Sequence, residues 1–207
     1  MSSKSEIIFD FDGVIANTFD VALQLSREMD GHPFTIDEYK NLFNGNLFEE
    51  AQRQSLPTFS TPSHRDNFSK IYGSRIGNHL LYPGMRDLII DCSSFAPLHI
   101  VSSGGEAVIR NFLVGVDLEK SFNKILGYET EPSKVQKFKM LGVLPETADK
   151  FLFITDTLGD LKEAEQVGMP AIAVSWGYHD AARLDRGNPL FIAKTPRDLL
   201  VFIRSLQ

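Results

Sequence analysis

Residues 7–14 read IIFDFDGV, and this stretch decides how the rest of the chain is understood. Ile7, Ile8 and Phe9 form an apolar run with no polar interruption, the pattern of a strand covered on both faces of a parallel sheet. The run ends in Asp10, Phe11, Asp12 and Gly13. If the backbone stays extended, both carboxylates project to one side, about 7 Å apart along the strand axis. Gly13 then lets the chain turn away. Two like charges so close are unfavourable unless a cation joins them or one keeps its proton. Two acids at the end of a first buried strand therefore mark a candidate reactive site.

Outward from that strand the chain changes character twice. Residues 18–80 read as helices. Thr18 is a candidate cap for a helix carrying Val21, Ala22, Leu25 and Met29, and Gly31-His32-Pro33 break it. Thr35 with Glu38 forms a capping box for a short second helix. Asn44-Gly45-Asn46 is a loop before an amphipathic run over residues 47–56. Residues 57–63 are a connector, and residues 64–81 read as another helix, weakened by Gly73 and Gly77. From Pro83 onward β and α segments alternate. A helix is expected from Pro83-Gly84 to about Ser94, then strands over residues 97–102, 122–127, 150–155 and 170–175, the first three each followed by a helical stretch and the last by a helix from Thr195-Pro196. This alternation predicts an α/β fold with a doubly wound parallel sheet. The helical block enters directly after the first strand as a small cap. The expected division is 1–16 and 82–207 for the core and 17–81 for the cap.

Composition narrows the function classes. The chain has 207 residues, 43% hydrophobic and 23% charged, as in soluble globular proteins. A net charge of −6 opposes a nucleic-acid footprint, so an anion site needs its own local positive charge. Cys92 is the only cysteine, excluding an internal disulfide and a thiolate-rich metal site. No run approaches roughly 18 apolar residues and MSSKSE begins no secretory leader, so the expectation is a cytoplasmic protein without a membrane partner. Oligomeric state and the identity of the substrate are not readable.

Ligands of such sheets bind beyond the carboxyl ends of the strands. The polar residues expected there are Asp10 and Asp12, Ser102 and Ser103, and Asp156 with Asp160. Lys134 opens the helix after the third strand and is preferred over Lys137 and Lys139 as the basic member. Three acids, a hydroxyl and a lysine suit a hard cation such as Mg²⁺ together with a phosphate group.

The set resembles the haloacid dehalogenase superfamily, in particular its phosphoglycolate phosphatase and β-phosphoglucomutase-like subgroup. Asp10-Phe11-Asp12-Gly13-Val14 is similar to the first motif and Ile100-Val101-Ser102 to the second. Lys134 resembles the third, and Asp156-Thr157-Leu158-Gly159-Asp160 the fourth. Two departures stand out: Ser102 replaces the commoner threonine, and Thr155 stands where glycine is frequent. The resemblance implies a Mg²⁺-dependent phosphatase of a small phosphorylated metabolite. Asp10 would be the nucleophile and Asp12 the general acid and base. Asp10, Asp12 (through its carbonyl), Asp156 and Asp160 would hold the metal, and Ser102, Ser103 and Lys134 would bind the phosphoryl group. The cap loop Asn44-Gly45-Asn46 would set specificity, with the two asparagines bonding substrate oxygens. Alternatives are a sugar-phosphate mutase on the same core and a non-catalytic phosphate-binding regulatory protein.

Overall fold

The computed structural model describes residues 6–57 and 61–206; residues 58–60 of the expected connector and the opening residues 1–5 lie outside the described part. Six parallel strands form one sheet in the order β3-β2-β1-β4-β5-β6. They are β1 (Glu6–Phe9), β2 (Leu98–Val101), β3 (Lys124–Leu126), β4 (Phe151–Thr155), β5 (Ala171–Val174) and β6 (Phe191–Ala193). The apolar run that opened the sequence is one of the two central strands of this sheet, pairing with β2 on one side and β4 on the other. Its alternation explains its composition. Ile7 and Phe9 enter one buried cluster with Leu98, Ile100, Leu152 and Ile154, while Ile8 enters the opposite one with Val101 and Phe153. A strand with both faces covered has no place for a polar side chain until it ends.

The first face is covered by α5 (Met85–Ser93), α6 (Glu106–Gly115) and α10 (Pro196–Ser205). The second is covered by α7 (Lys134–Leu141), α8 (Leu158–Gln166) and α9 (Ala181–Asp185). Cys92 is buried in the first cluster, where desolvation pushes its thiol up to about 12. The sixth strand and α9 were not anticipated. Both are short, and β6 is only partly buried, so neither leaves a full period of alternation in the sequence.

Among the described residues, the α-helices between β1 and α5 include α1 (Phe19–Asp30), α2 (Ile36–Asn41), α3 (Leu47–Arg53) and α4 (Pro62–Arg75). The capping box at Thr35 and Glu38 closes as expected, with both reciprocal hydrogen bonds present. The helix expected over residues 64–81 instead starts at Pro62, whose fixed φ suits the first turn, and stops at Arg75 before a short 3₁₀ turn. These helices have their own apolar cluster of Leu25, Phe34, Tyr39, Leu42, Phe48 and Tyr72, joined by Tyr178 from the loop after β5. Among the described residues no helix is long and apolar enough to cross a membrane.

Candidate active site

The switch point of this strand order lies between β1 and β4, and the acids stand at their carboxyl ends. The backbone N–H of Asp10 still donates to the Ile154 carbonyl at 2.9 Å, continuing the ladder one residue past the strand. The chain then doubles back: Ile15 and Ala16 donate to the Phe11 carbonyl, and Gly13 donates to Ala16 at 2.8 Å. Gly13 sits at φ +75°, and a Cβ there would lie 1.9 Å from Asp156 Oδ2. Only glycine allows this turn to press against the end of β4.

Lys134 is delivered by the start of α7, where the Ser133 hydroxyl accepts from the Gln136 N–H. Its buried ammonium lies 2.8 Å from Asp10 Oδ2 and 2.7 Å from Asp160 Oδ2. The Thr155 hydroxyl donates to the same Asp160 oxygen at 2.6 Å, so the residue that stood out as a departure has a defined partner. One ammonium thus serves two carboxylates. Burial pushes Asp160 upward, but the Lys134 charge and hydrogen bonds from Asp10, Lys134 and Thr155 hold it below the ordinary carboxylate value. Asp10 is raised well above that value, mainly by burial, against the pull of Lys134.

This changes the reading of the opening pair. The close like-charge neighbour of Asp10 is Asp160, from 150 residues further on, while Asp12 turns elsewhere. Asp12 Oδ1 accepts from the Thr18 hydroxyl at 2.8 Å and from the Tyr72 hydroxyl of α4. Thr18 was expected to cap α1; its side chain makes no capping bond and is used on Asp12. Burial raises Asp12, and the Tyr72 and Thr18 hydrogen bonds oppose the rise.

Asp156 uses Oδ2 to accept from the Tyr178 N–H at 2.6 Å, whereas its Oδ1 is buried without a hydrogen-bond partner. Burial together with the neighbouring Asp160 lifts its carboxyl to about 8. Such an orphaned buried oxygen is costly unless something positive meets it. Asp10 and Asp160 share the Lys134 ammonium, no ammonium contacts Asp156 among the described residues, and Lys137 is turned to main-chain carbonyls. Its Nζ donates to the Ser102 carbonyl at 2.5 Å, and burial with the Lys134 charge brings it down to about 7. The charge deficit and the all-oxygen donors fit a hard divalent cation. Among the described residues no three Asp, Glu, His or Cys side chains meet closely enough to hold a metal alone. A fit therefore needs main-chain, water or substrate oxygens as well, which is how Mg²⁺ is commonly held.

A cavity of about 80 Å³ lies over these groups. Asp10, Asp12, Ser102, Ser103, Lys134 and Asp160 line its core side. Ser102 is fully buried, and its hydroxyl accepts from the Gly104 N–H at 2.9 Å, which shapes the loop after β2 around the cavity floor. Lys139 is exposed and takes no part.

The cap is pinned over this cavity. Gly159 makes room for the Gly45 carbonyl, which would be 2.2 Å from a Cβ at that position. His179 donates from Nε2 to the Lys40 carbonyl at 2.9 Å while its Nδ1 accepts from the Leu158 N–H at 3.0 Å, so this imidazole is neutral. Burial brings it down to about 4, in keeping with that role. Gly45 lines the cavity, but the two asparagines beside it do not. Asn46 Oδ1 caps α3 by accepting from Phe48 and Glu49, and its Nδ2 donates to Glu163 Oε1 at 3.1 Å. Asn44 donates to Asn41. In this arrangement Asn46 faces its own helix and the core, and Asn44 Nδ2 faces Asn41, so neither contributes to the cavity lining. Asn46→Ala is expected to lower unfolding free energy by about 1–2 kcal/mol through the lost cap and the stranded Glu163. A urea melt measures it.

Tyr72, Tyr178, Glu163 and Arg65 were not singled out from the sequence. Glu163 Oε1 receives both Asn46 Nδ2 and the Lys134 N–H, each at 3.1 Å, and so ties the cap loop to the start of α7. Its position three residues after Asp160 on α8 was the one available signal.

Residues 7–174 match the model of a family described as haloacid dehalogenase-like hydrolase. A phosphoglycolate phosphatase of Synechococcus elongatus is 25% identical over 210 residues, covering 97% of this chain and 98% of that protein. In the solved structures, a haloacid dehalogenase-like family hydrolase from Streptococcus pneumoniae aligns with TM-score 0.71 and 22% identity, over 98% of this chain and 100% of its own. A hydrolase from Pseudomonas syringae aligns with TM-score 0.73 at 18% identity, over 98% and 99%. The two structures show likeness of fold.

Proposed function

The chain belongs to the haloacid dehalogenase-like hydrolases, and from that membership we propose that it is a Mg²⁺-dependent phosphatase of a small phosphomonoester that works through a phosphorylated Asp10. The observation that carries this is the buried Asp10–Lys134–Asp160 cluster with the unpartnered Asp156 Oδ1 beside it, under a small capped cavity. A cavity this size suits a short substrate, and relatives named phosphoglycolate phosphatase support a short phosphorylated acid.

In this reading, Asp10 attacks phosphorus and displaces the substrate oxygen, which takes a proton from Asp12. Asp12 then accepts a proton from the water that attacks the acyl phosphate, releasing inorganic phosphate and restoring the Asp10 carboxylate. Tyr72 and Thr18 hold Asp12 through Oδ1 and leave Oδ2 for proton transfer. Lys134, Ser102 and Ser103 bind the transferring phosphoryl oxygens, and Asp160 with Thr155 positions the ammonium. Carboxylate attacking a phosphate charge at 4 Å costs about 4 kcal/mol per pair at an effective dielectric of 20. Mg²⁺, held by the Asp10 and Asp156 carboxylates and the Asp12 carbonyl, would supply charge neutralisation there.

The test is phosphate release from a panel of small phosphomonoesters with Mg²⁺ and with excess chelator. Release that needs the metal supports the reading. Isomer interconversion without release would replace it with a mutase, and binding without turnover would replace it with a sensor. A pH dependence accompanies it. Because Asp156 is raised to about 8, the folded cation-free protein binds more protons than the unfolded chain between the ordinary carboxylate range and about pH 8. Its stability at this group falls as pH rises through that window. Mg²⁺ displaces that proton, so the rise in Tm on adding Mg²⁺ should grow from about pH 6 to about pH 8 and then level. A metal-induced shift that is flat across this range would remove Asp156 from the metal site.

A further inference from the structure

The cavity lining contains two cationic side chains among the described residues, Lys134 from the core and Arg65 from α4 of the cap. Lys134 is satisfied by Asp10 and Asp160. Arg65 is not used in this way. Its guanidinium carbon lies 4.9 Å from the centroid of the Phe48 ring, and its Nε is buried with no hydrogen-bond partner. No acidic residue pairs with it among the described residues, although the chain carries a net charge of −6. The rest of the cap wall is apolar or neutral, formed by Tyr39, Phe43, Leu47, Phe48 and Phe68 with Ser69. A cation held against an aromatic face, with an unmet donor in a cavity, calls for an anion.

We infer that Arg65 is a specificity-determining residue that binds a second anionic group of the substrate, at the end away from the transferring phosphoryl. The inference rests on the phosphatase reading and deepens it to a substrate class: short phosphomonoesters that carry a carboxylate or a further phosphate. The guanidinium fork presents donors in one plane and matches either group in a two-point contact. Its stacking on Phe48 leaves it oriented before the substrate enters, so little further ordering is required on binding. A neutral substrate of the same length would leave the Arg65 donor unmet inside a closed cap, so the residue selects against such molecules as well as for charged ones.

The experiment compares wild type, Arg65→Ala and Arg65→Lys, with Mg²⁺, on three probes of similar length. These are 2-phosphoglycolate, ethyl phosphate and ethane-1,2-diol bisphosphate. Wild type should favour one or both of the probes that are anionic at both ends over ethyl phosphate in kcat/KM, and a wild type that favours neither overturns the inference. In Arg65→Ala that preference should fall by about 10- to 100-fold, mostly through KM, with Arg65→Lys in between. The probe whose advantage is lost identifies carboxylate or phosphate as the group read. Circular dichroism and a thermal melt establish that each variant is folded, and the lysine variant serves if the alanine one is not. If wild type discriminates and neither folded variant changes the ratio, the inference is overturned and the phosphatase reading stands. If wild type releases phosphate from none of the panel or of a wider set of phosphomonoesters, the phosphatase reading fails and takes the inference with it.

Discussion

Asp10→Asn should reduce Mg²⁺-dependent phosphate release by about a thousandfold or more while leaving the fold as stable as before. The two halves of this expectation have one physical origin. Asn is close to isosteric with Asp but its amide oxygen is a poor nucleophile, so no acyl phosphate forms. Stability is spared because the Asp10 carboxyl is already held well above its ordinary value, chiefly by burial. A neutral side chain there removes a desolvation cost and leaves Lys134 entirely to Asp160. Phosphate release and a urea melt on the same preparation check both. Activity that survives in the folded variant would sink the covalent mechanism.

Lys134→Met should have the opposite balance, losing activity and also stability by about 3–5 kcal/mol. Methionine keeps most of the aliphatic stem but removes the charge that both Asp10 and Asp160 contact at under 3 Å. Asp160 would be left without its counter-ion, and Asp10, already raised by burial, would lose the charge that opposes the rise. The loss should depend on pH with a definite sign. In the wild type Asp160 is depressed, so its contribution is present above the ordinary carboxylate value and fades as pH falls through the lower folded value. Without Lys134, burial alone acts on Asp160 and raises it. The deficit relative to wild type should therefore be largest near neutral pH and shrink toward about pH 4. Urea melts at both ends of that range measure it. A deficit below about 1 kcal/mol that does not vary with pH would mean that the cluster is not held by this charge.

Much of the architecture was legible locally. The uninterrupted Ile7-Ile8-Phe9 run has both faces buried, Thr35 and Glu38 close their capping box, and the five expected β segments are strands of one parallel sheet. These features depend on alternation and on residues three or four apart, so a linear reading reaches them. β6 escaped because two of its three residues are only partly buried, so it carries no buried apolar alternation. Polar residues at strand ends were equally conspicuous, which is why Asp10, Ser102, Lys134, Asp156 and Asp160 were all named and all line or adjoin one region.

Partner choice was a different matter. Asp10 and Asp12 are neighbours in the chain, yet Asp10 meets Asp160 through Lys134 whereas Asp12 meets Thr18 and Tyr72. The asparagines of the cap loop had the right chemistry for a substrate, but Asn46 is spent on its own helix and on Glu163. The sequence alone determined the α/β class, the place of the helical insertion and the kinds of group at the strand ends, because these follow from short-range periodicity and from the cost of burying polar atoms. Only the tertiary structure decided which carboxylate shares the lysine, which hydroxyls hold Asp12 and which cation faces the cavity from the cap. Those pairings join residues far apart in the chain. They are set by how the chain turns at Gly13 and how the cap helices dock, and no local pattern encodes either.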